Sequence, residues 1–411
     1  MKHLILALCT RGWGETVLGI RMAHELRRIG HECVFLTHEG AGPLFANLSF
    51  PVMKMGDHAT MSEFLTIALR LFFDQCKPDS IILADYYTTD LAFDKSKTSP
   101  QFLKEFQVPL GAIDTWDLKR CGPHMDTMFD VTRKIPDWSD LLDYRLTPVP
   151  IAPVEAGPGG SPYCCLPPAP RQRVMKKVSR HVRRSLGVGD EERMVLFLTA
   201  SWQHSQFTSE NCNRIKRWLP ELLSQYLSKL GSNVHLVHVG PAALPLEMNG
   251  QYRWVPSCAP DTFNALLSGA DLLLGFNVSA STIAKAMVYG LPCMLLINSH
   301  LVKGTDDLSQ AIGGGVSSEM KAWLKKAAPV HPYYMWPVGF FEFIAPLLEN
   351  NEYCDAIPSF EVLDEERVLE ELDKMLFNAT AREEQVDRQF HYVERLRQLP
   401  SAATLVADHV Q

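Results

Sequence analysis

The sequence predicts an α/β protein of two doubly wound, parallel-sheet, Rossmann-like domains in tandem. Its 411 residues exceed one hydrophobic core, at about 150 residues per domain. Short unbroken apolar runs alternate with stretches of helical periodicity in both halves, as expected of strands covered on both faces by crossover helices. A stretch dense in proline and glycine separates the two halves.

The first half opens with an apolar run at 4–8, a glycine-bearing loop at 10–16, and Val17, Ile20, Ala23 and Leu26 at helical spacing. Gly30 stops that helix, and Val34-Phe35-Leu36 resumes a strand. A right-handed crossover between parallel strands follows from this order. Residues 64–73 read as helix, 80–84 as a buried strand ending at Asp85, 103–106 as a helix end and 108–113 as a strand. From 146 to 171 the chain carries Pro148, Pro150, Pro153, Pro162 and Pro167 among glycines, which predicts a linker without regular structure. A basic helix at 176–186 is expected to present a solvated charged face. Strands at 194–199, 233–239, 271–276 and 292–297 then alternate with helices at 214–230, 263–267 and 282–289. Beyond 363 the chain is helical. The expected units are a first domain over 1–168, a second over 169–370 and a helical segment over 371–411.

Composition narrows the function. A net charge of -7 argues against nucleic acid as the main partner, since phosphate binding needs a cationic face. The ten cysteines are irregularly spaced and contain no Cys-x-x-Cys, so free thiols in a reducing cytoplasm are expected. The apolar run at 4–8 reads as a first strand rather than a leader, and no stretch approaches the roughly 20 apolar residues of a membrane-spanning helix. A soluble cytoplasmic protein is the expectation. The sequence has no Walker loop, Gly-x-Ser-x-Gly, His-Glu-x-x-His or calcium loop, and Gly12-x-Gly14 lacks the third glycine of a dinucleotide fingerprint. No metal site and no resident cofactor are expected.

The segment 270–292 carries the most chemistry: a buried strand, the small polar loop Asn277-Val278-Ser279-Ala280, and a helix beginning near Thr282. Free amides at a helix start, with the hydroxyls of Ser279, Ser281 and Thr282, form an anion site. Alternatively, Ser281 is a plain helix cap. The segment resembles the donor-binding signature of the GT-B glycosyltransferases, the superfamily of UDP-glycosyltransferases and MurG-like enzymes. Their pattern is His-Gly-Gly-x-Gly-Thr-x-x-Glu-Ala, then Gly-x-Pro. Asn277 stands at its His, Ser279 at its second Gly and Ser281-Thr282 at the Gly-Thr that holds the diphosphate. Ala286, Gly290 and Pro292 match outright, while Lys285 replaces a ribose-binding Glu with a cation suited to phosphate.

The rest of the resemblance runs through both halves. Trp254-Val255-Pro256 is similar to the family's Trp-x-Pro, whose ring stacks on the nucleobase; a buried core position is the alternative. Ser201 falls in the phosphate-facing loop. In the first half, Gly14 and Gly30-His31 match the acceptor-side pattern, with Glu15 at the position of the family's catalytic His. A carboxylate there serves as base toward an acceptor hydroxyl, or simply favours a helix dipole. Asp85 resembles the Asp that orients that His, and a nearby second carboxylate would raise one of the two pKa values. Trp13, Asp114 and Trp116, with Tyr334 and Trp336 in the aromatic stretch 331–343, are the candidate acceptor-side residues; aromatic core packing is the alternative.

The resemblance implies a GT-B fold, two Rossmann-like domains facing a central cleft with a C-terminal helix returning to the first. It also implies metal-independent, inverting transfer from a nucleotide diphosphate sugar to a small-molecule acceptor, natural products included. Two other readings remain. One is nucleotide-sugar hydrolysis or epimerisation. The other is a non-catalytic auxiliary protein, favoured by the altered His, Glu and Gly-Gly positions.

Overall fold

A computed structural model describes residues 1–9, 13–56, 64–126, 133–155, 157, 160–169, 172–207, 209–246, 248 and 250–410. Gly12, in the first glycine loop, lies outside them.

The first lobe is a seven-stranded parallel sheet of order β3-β2-β1-β4-β5-β8-β9. Its strands are β1 (Lys2–Ala7), β2 (Glu32–His38), β3 (Val52–Met55), β4 (Ser80–Leu83), β5 (Leu110–Ile113), β8 (Tyr144–Val149) and β9 (Ser161–Cys164); β6 (His124–Met125) and β7 (Arg133–Lys134) form a small separate ribbon. The main crossover helices are α1 (Gly14–Arg28), α2 (Phe64–Cys76) and α3 (Tyr86–Lys95). β1 and β4 are buried along most of their length because helices cover both faces, which is why they read as unbroken apolar runs.

The second lobe has six parallel strands in the order β12-β11-β10-β13-β14-β15. They are β10 (Arg193–Leu198), β11 (Val234–Gly240), β12 (Tyr252–Pro256), β13 (Leu272–Gly275), β14 (Cys293–Ile297) and β15 (Ser359–Glu361). Its helices include α4 (Gln172–Ser185), α5 (Glu210–Lys229), α6 (Pro260–Gly269), α7 (Ser281–Val288), α8 (Thr305–Ile312), α9 (Ser318–Ala327) and α10 (Phe341–Leu348). After β15 come α11 (Glu365–Phe377), α12 (Ala379–Leu396) and α13 (Ala402–Val410). Each sheet reverses its strand order once, between β1 and β4 and between β10 and β13.

Three expectations need correcting. The proline-rich stretch is not free of regular structure, for it contains β9 and most of β8. Pro148 lies past Leu146, the last residue of β8 in register with β5, and Pro162 sits on the edge strand. Neither removes a central ladder bond. The basic helix α4 is not wholly solvated either. Its Arg183 is buried, donates to Asp271 at 2.8 Å and to the carbonyls of Gly269, Gly189 and Glu192, and so ties the helix to the second sheet. Residue 371 falls inside α11, which packs on α5 in the second lobe.

The lobes share a continuous apolar core. Trp116 of the first lobe meets Phe340 and Phe343 of the second edge-on, with ring centroids 6.3 and 5.9 Å apart. The Asp126 carboxylate accepts from the amides of Phe341 and Phe343, both at 2.8 Å, and thus caps α10 from the opposite lobe. α12 begins against the second lobe, where Gln389 bonds Leu291 and Cys293, and ends on the first, where the Tyr392 hydroxyl donates to the Pro150 carbonyl at 3.0 Å. α13 packs on α1 in the first lobe, with His409 stacked on Tyr144. All ten cysteines are free thiols, and no described helix is long and apolar enough to cross a membrane.

Candidate active site

In open α/β sheets, ligands bind beyond the carboxyl ends of the strands where the strand order reverses. Several of the candidate residues sit at or next to those two reversals. Trp13 and Glu15 follow β1, Asp85 follows β4 and Asp114 follows β5; Ser201 follows β10, and the loop 276–280 follows β13. The two sets approach each other. A methyl group built on Gly14 would lie 3.7 Å from the Ser281 hydroxyl oxygen, so the first turn of α1 abuts the first turn of α7 across the cleft.

Glu15 occupies that first turn of α1, with one carboxyl oxygen, Oε2, buried and without a hydrogen-bond partner. Burial, reinforced by the charge of Asp85, lifts its pKa from 4.5 to about 7; hydrogen bonds from its own backbone and from Cys9 oppose the rise only in part. Asp85 caps α3, accepting from the Thr88 amide at 2.7 Å and from the Thr115 hydroxyl at 2.8 Å. Its own carboxyl is also raised, chiefly by burial. The cap and the partnership with Glu15 therefore coexist. Asp114 is buried, accepts from the Leu118 amide and lies 3.6 Å from Arg145; burial lifts it to about 7.

Across the cleft, α7 opens after Ala280 with no side-chain cap. Ser281 is consequently the first helical residue and not the cap. Among the described residues, the amides of Ser281 and Thr282 have no backbone or side-chain acceptor. The Asn277 side-chain oxygen is buried and unpartnered, while the Ser279 hydroxyl contacts the Met335 sulfur at 3.3 Å. Lys285, one turn into α7, lies over the Phe263 ring at 5.1 Å. Burial lowers its pKa to about 8, the Arg21 cation adds to the drop, and Asp261 opposes it.

Trp254 is not a core residue. It projects from the edge strand β12 with 41% of its surface exposed, held by its indole N–H on the Gly240 carbonyl at 3.0 Å. Ser201 is exposed at the start of a short helical turn, and Trp13 is half-buried with its indole N–H on Gly40.

On the acceptor side, two rings are displaced from the expected role. Trp336 is buried in the second-lobe core, its indole N–H on the Ile215 carbonyl at 3.1 Å. Trp116 is committed to the seam between the lobes. In both places the ring is buried in aromatic packing, Trp336 against Phe276 and Trp116 against Phe340 and Phe343. Tyr334 is half-buried and stacks on Phe341 at 4.6 Å. A groove of about 600 Å³ between α6 and α12, lined by Tyr289, Arg382 and Asp387, contains none of the candidate residues.

Sequence reasoning gave no role toward Asp85 to Thr115, whose hydroxyl donates to it, and overlooked a pair of histidines behind the Ser201 loop, His204 and His238. Their only sequence signal was position: His204 lies three residues past Ser201, and His238 lies on β11 beside β10.

The fold is a GT-B architecture, and comparison with solved structures agrees. The glycosyltransferase VinC in complex with DTDP superposes with a TM-score of 0.55 at 13% identity, covering 100% of this chain and 98% of that one. Spinosyn rhamnosyltransferase SpnG complexed with spinosyn aglycone gives 0.54 at 12% identity, with 99% of each chain covered. The glycosyltransferase SnogD from Streptomyces nogalater gives 0.51 at 12% identity, over 100% and 99%. At such identities the likeness is one of fold. The chain itself belongs to a family of unknown function, DUF6365, which it matches over residues 22–411. No curated protein matches it in sequence.

Proposed function

We propose that the chain is a glycosyltransferase that moves a sugar from a nucleotide diphosphate donor to a small-molecule acceptor, with inversion and without a metal. The observation that carries this reading is the apposition across the cleft of a buried carboxyl with a pKa near 7 and an uncapped helix start. Glu15 takes the proton of the acceptor hydroxyl, and the acceptor oxygen forms its bond to the anomeric carbon. The bond from that carbon to the diphosphate oxygen breaks, and the electron pair leaves with the diphosphate. The amides and hydroxyls of Ser281 and Thr282, with Lys285, hold the charge that develops there. Asn277 and Ser279 line the same loop, Ser201 faces the phosphates, and Trp254 offers an exposed ring to the nucleobase. Burial, with the charge of Asp85 added to it, keeps the Glu15 pKa high enough for a base working near neutral pH.

Trp13 and Asp114, on the first lobe, and Tyr334 at the seam are the remaining acceptor-side residues in this reading. The VinC structure holds DTDP and the SpnG structure holds spinosyn aglycone, so thymidine diphosphate sugars and natural-product aglycones are the first substrates to try. The test is Glu15→Gln. Turnover is expected to fall by at least a thousandfold while nucleotide binding stays within twofold of wild type. Equal turnover removes Glu15 from the mechanism. Wild-type activity should rise with pH through about 7 and level off above it, because only the ionised carboxylate accepts the proton.

A further inference from the structure

Two charged stripes of opposite sign on the second lobe play no part in the proposed reaction. α4 carries Lys177, Arg180, His181 and Arg184, spaced so that they share one helix face, and all four are exposed. α12 carries Glu383 and Asp387 one turn apart, both exposed. Among the described residues, none of these six side chains forms an ion pair or a side-chain hydrogen bond. The neighbouring Arg388 is engaged by the Gln385 side chain. Like charges one turn apart repel along a helix, and neither stripe is relieved within the chain.

The stripes flank a common helix. On one side α6 packs against α4, with a Val182 methyl 3.2 Å from where a methyl group on Gly269 would sit. On the other side α6 and α12 bound the groove of about 600 Å³, which Glu383 and Asp387 line together with Leu267, Val386 and Tyr289. Beneath the surface, Arg183 of α4 and Arg382 of α12 meet on one carboxylate, Asp271, at 2.8 and 3.8 Å. At the rim of the groove the Phe390 ring is 43% exposed and lies 3.4 Å from where a methyl group on Gly290 would sit. The face lies at the amino ends of β13 and β14, because the groove residues Ala270, Asp271, Leu291 and Pro292 precede those strands. The proposed donor site is at their carboxyl ends.

We propose that this face binds a second copy of the chain, with α4 of each copy lying against the α12 groove of the other. A two-fold axis running along α6 between the copies exchanges the two sides of the face. It therefore sets each cationic stripe against an anionic one, twice over, and closes the assembly as a dimer. Arg180 and Arg184 of one copy face Glu383 and Asp387 of its partner, and Phe390 adds apolar area beside the charges. One surface supplies both halves of the complementarity. A nucleic acid or an anionic membrane would instead be repelled by the acidic stripe on the same face and by the net charge of -7.

The test reads oligomeric state and needs no nucleotide, so it stands apart from the reaction proposed above. Sedimentation velocity at low salt and micromolar concentration should show a dimer. At about 1 M salt, where the screening length is about 3 Å, its dissociation constant should rise at least about tenfold. Arg180→Glu/Arg184→Glu and Glu383→Lys/Asp387→Lys should each be monomeric at low salt. Mixed in equal amounts, the two variants should form a one-to-one heterodimer, since each reversed stripe then meets its opposite. Native mass spectrometry with one variant isotopically labelled reads this directly. All four substitutions in one chain should give back the homodimer, which also establishes that the reversed helices are folded. A monomeric wild type at low salt, a dimer that survives either reversal, or a mixture that stays monomeric overturns the proposal.

Discussion

Glu15 gains affinity for its proton on folding, from a pKa of 4.5 to about 7. Between those values the folded state holds more protons than the unfolded chain, so this residue's contribution to stability falls as pH rises through that window. Glu15→Gln removes the burden. At pH 8 the variant should be more stable than wild type by up to about 3 kcal/mol, whereas at pH 4 the two should melt together. Chemical denaturation at both values checks this, and a variant less stable at pH 8 would mean that the carboxylate is satisfied in the folded state. Greater stability accompanied by lost turnover is the pattern expected of a functional group held at a cost to the fold. The position was readable in the sequence because Gly14 and Gly30-His31 flank it at the family spacing. The pairing with Asp85 was readable only as a conditional, since 70 residues separate the two and only the β1–β4 pairing brings their strands together.

At the scale of elements, the alternation of apolar runs with helical stretches predicted both sheets, because a parallel strand covered on both faces has no polar alternation to confuse the reading. The proline-rich segment misled because proline blocks a strand only where its missing N–H belongs to a central ladder. Edge placement cannot be seen locally. The aromatic stretch 331–343 misled for a different reason, since ring density is the same whether rings pack on one another or wait for a ligand. Trp254 went the opposite way, an exposed ring on an edge strand. Its support is fragile at Gly240. Gly240→Ala places a methyl group on the Thr199 hydroxyl; we expect a loss of about 1–3 kcal/mol together with weaker nucleotide binding. A variant that melts and binds like wild type would show that β11 and the Thr199 side chain shift freely.

The two lobes are held as one body by a shared apolar core, by α12 and α13 returning to the first lobe, and by Asp126 capping α10 from across the seam. Asp126→Ala leaves the first amides of α10 open and should lower stability by about 1–2 kcal/mol. The loss should appear in calorimetry as a less cooperative transition, while a single unchanged transition would remove the cap from the coupling of the lobes. This tethering keeps the first turns of α1 and α7 abutting, where the proposed base faces the proposed anion site.

That meeting of sites is tested most directly by a thermal-shift screen with UDP, TDP, GDP, ADP and CMP, run on wild type, Ser281→Ala/Thr282→Ala and Lys285→Ala. A ligand at a hundred times its dissociation constant stabilises the folded state by about 2.7 kcal/mol. The account predicts a clear upward shift of wild type with one nucleoside diphosphate, abolished in the double variant and reduced in Lys285→Ala. No shift with any nucleotide, or a shift that survives in the double variant, would contradict a donor site at the start of α7.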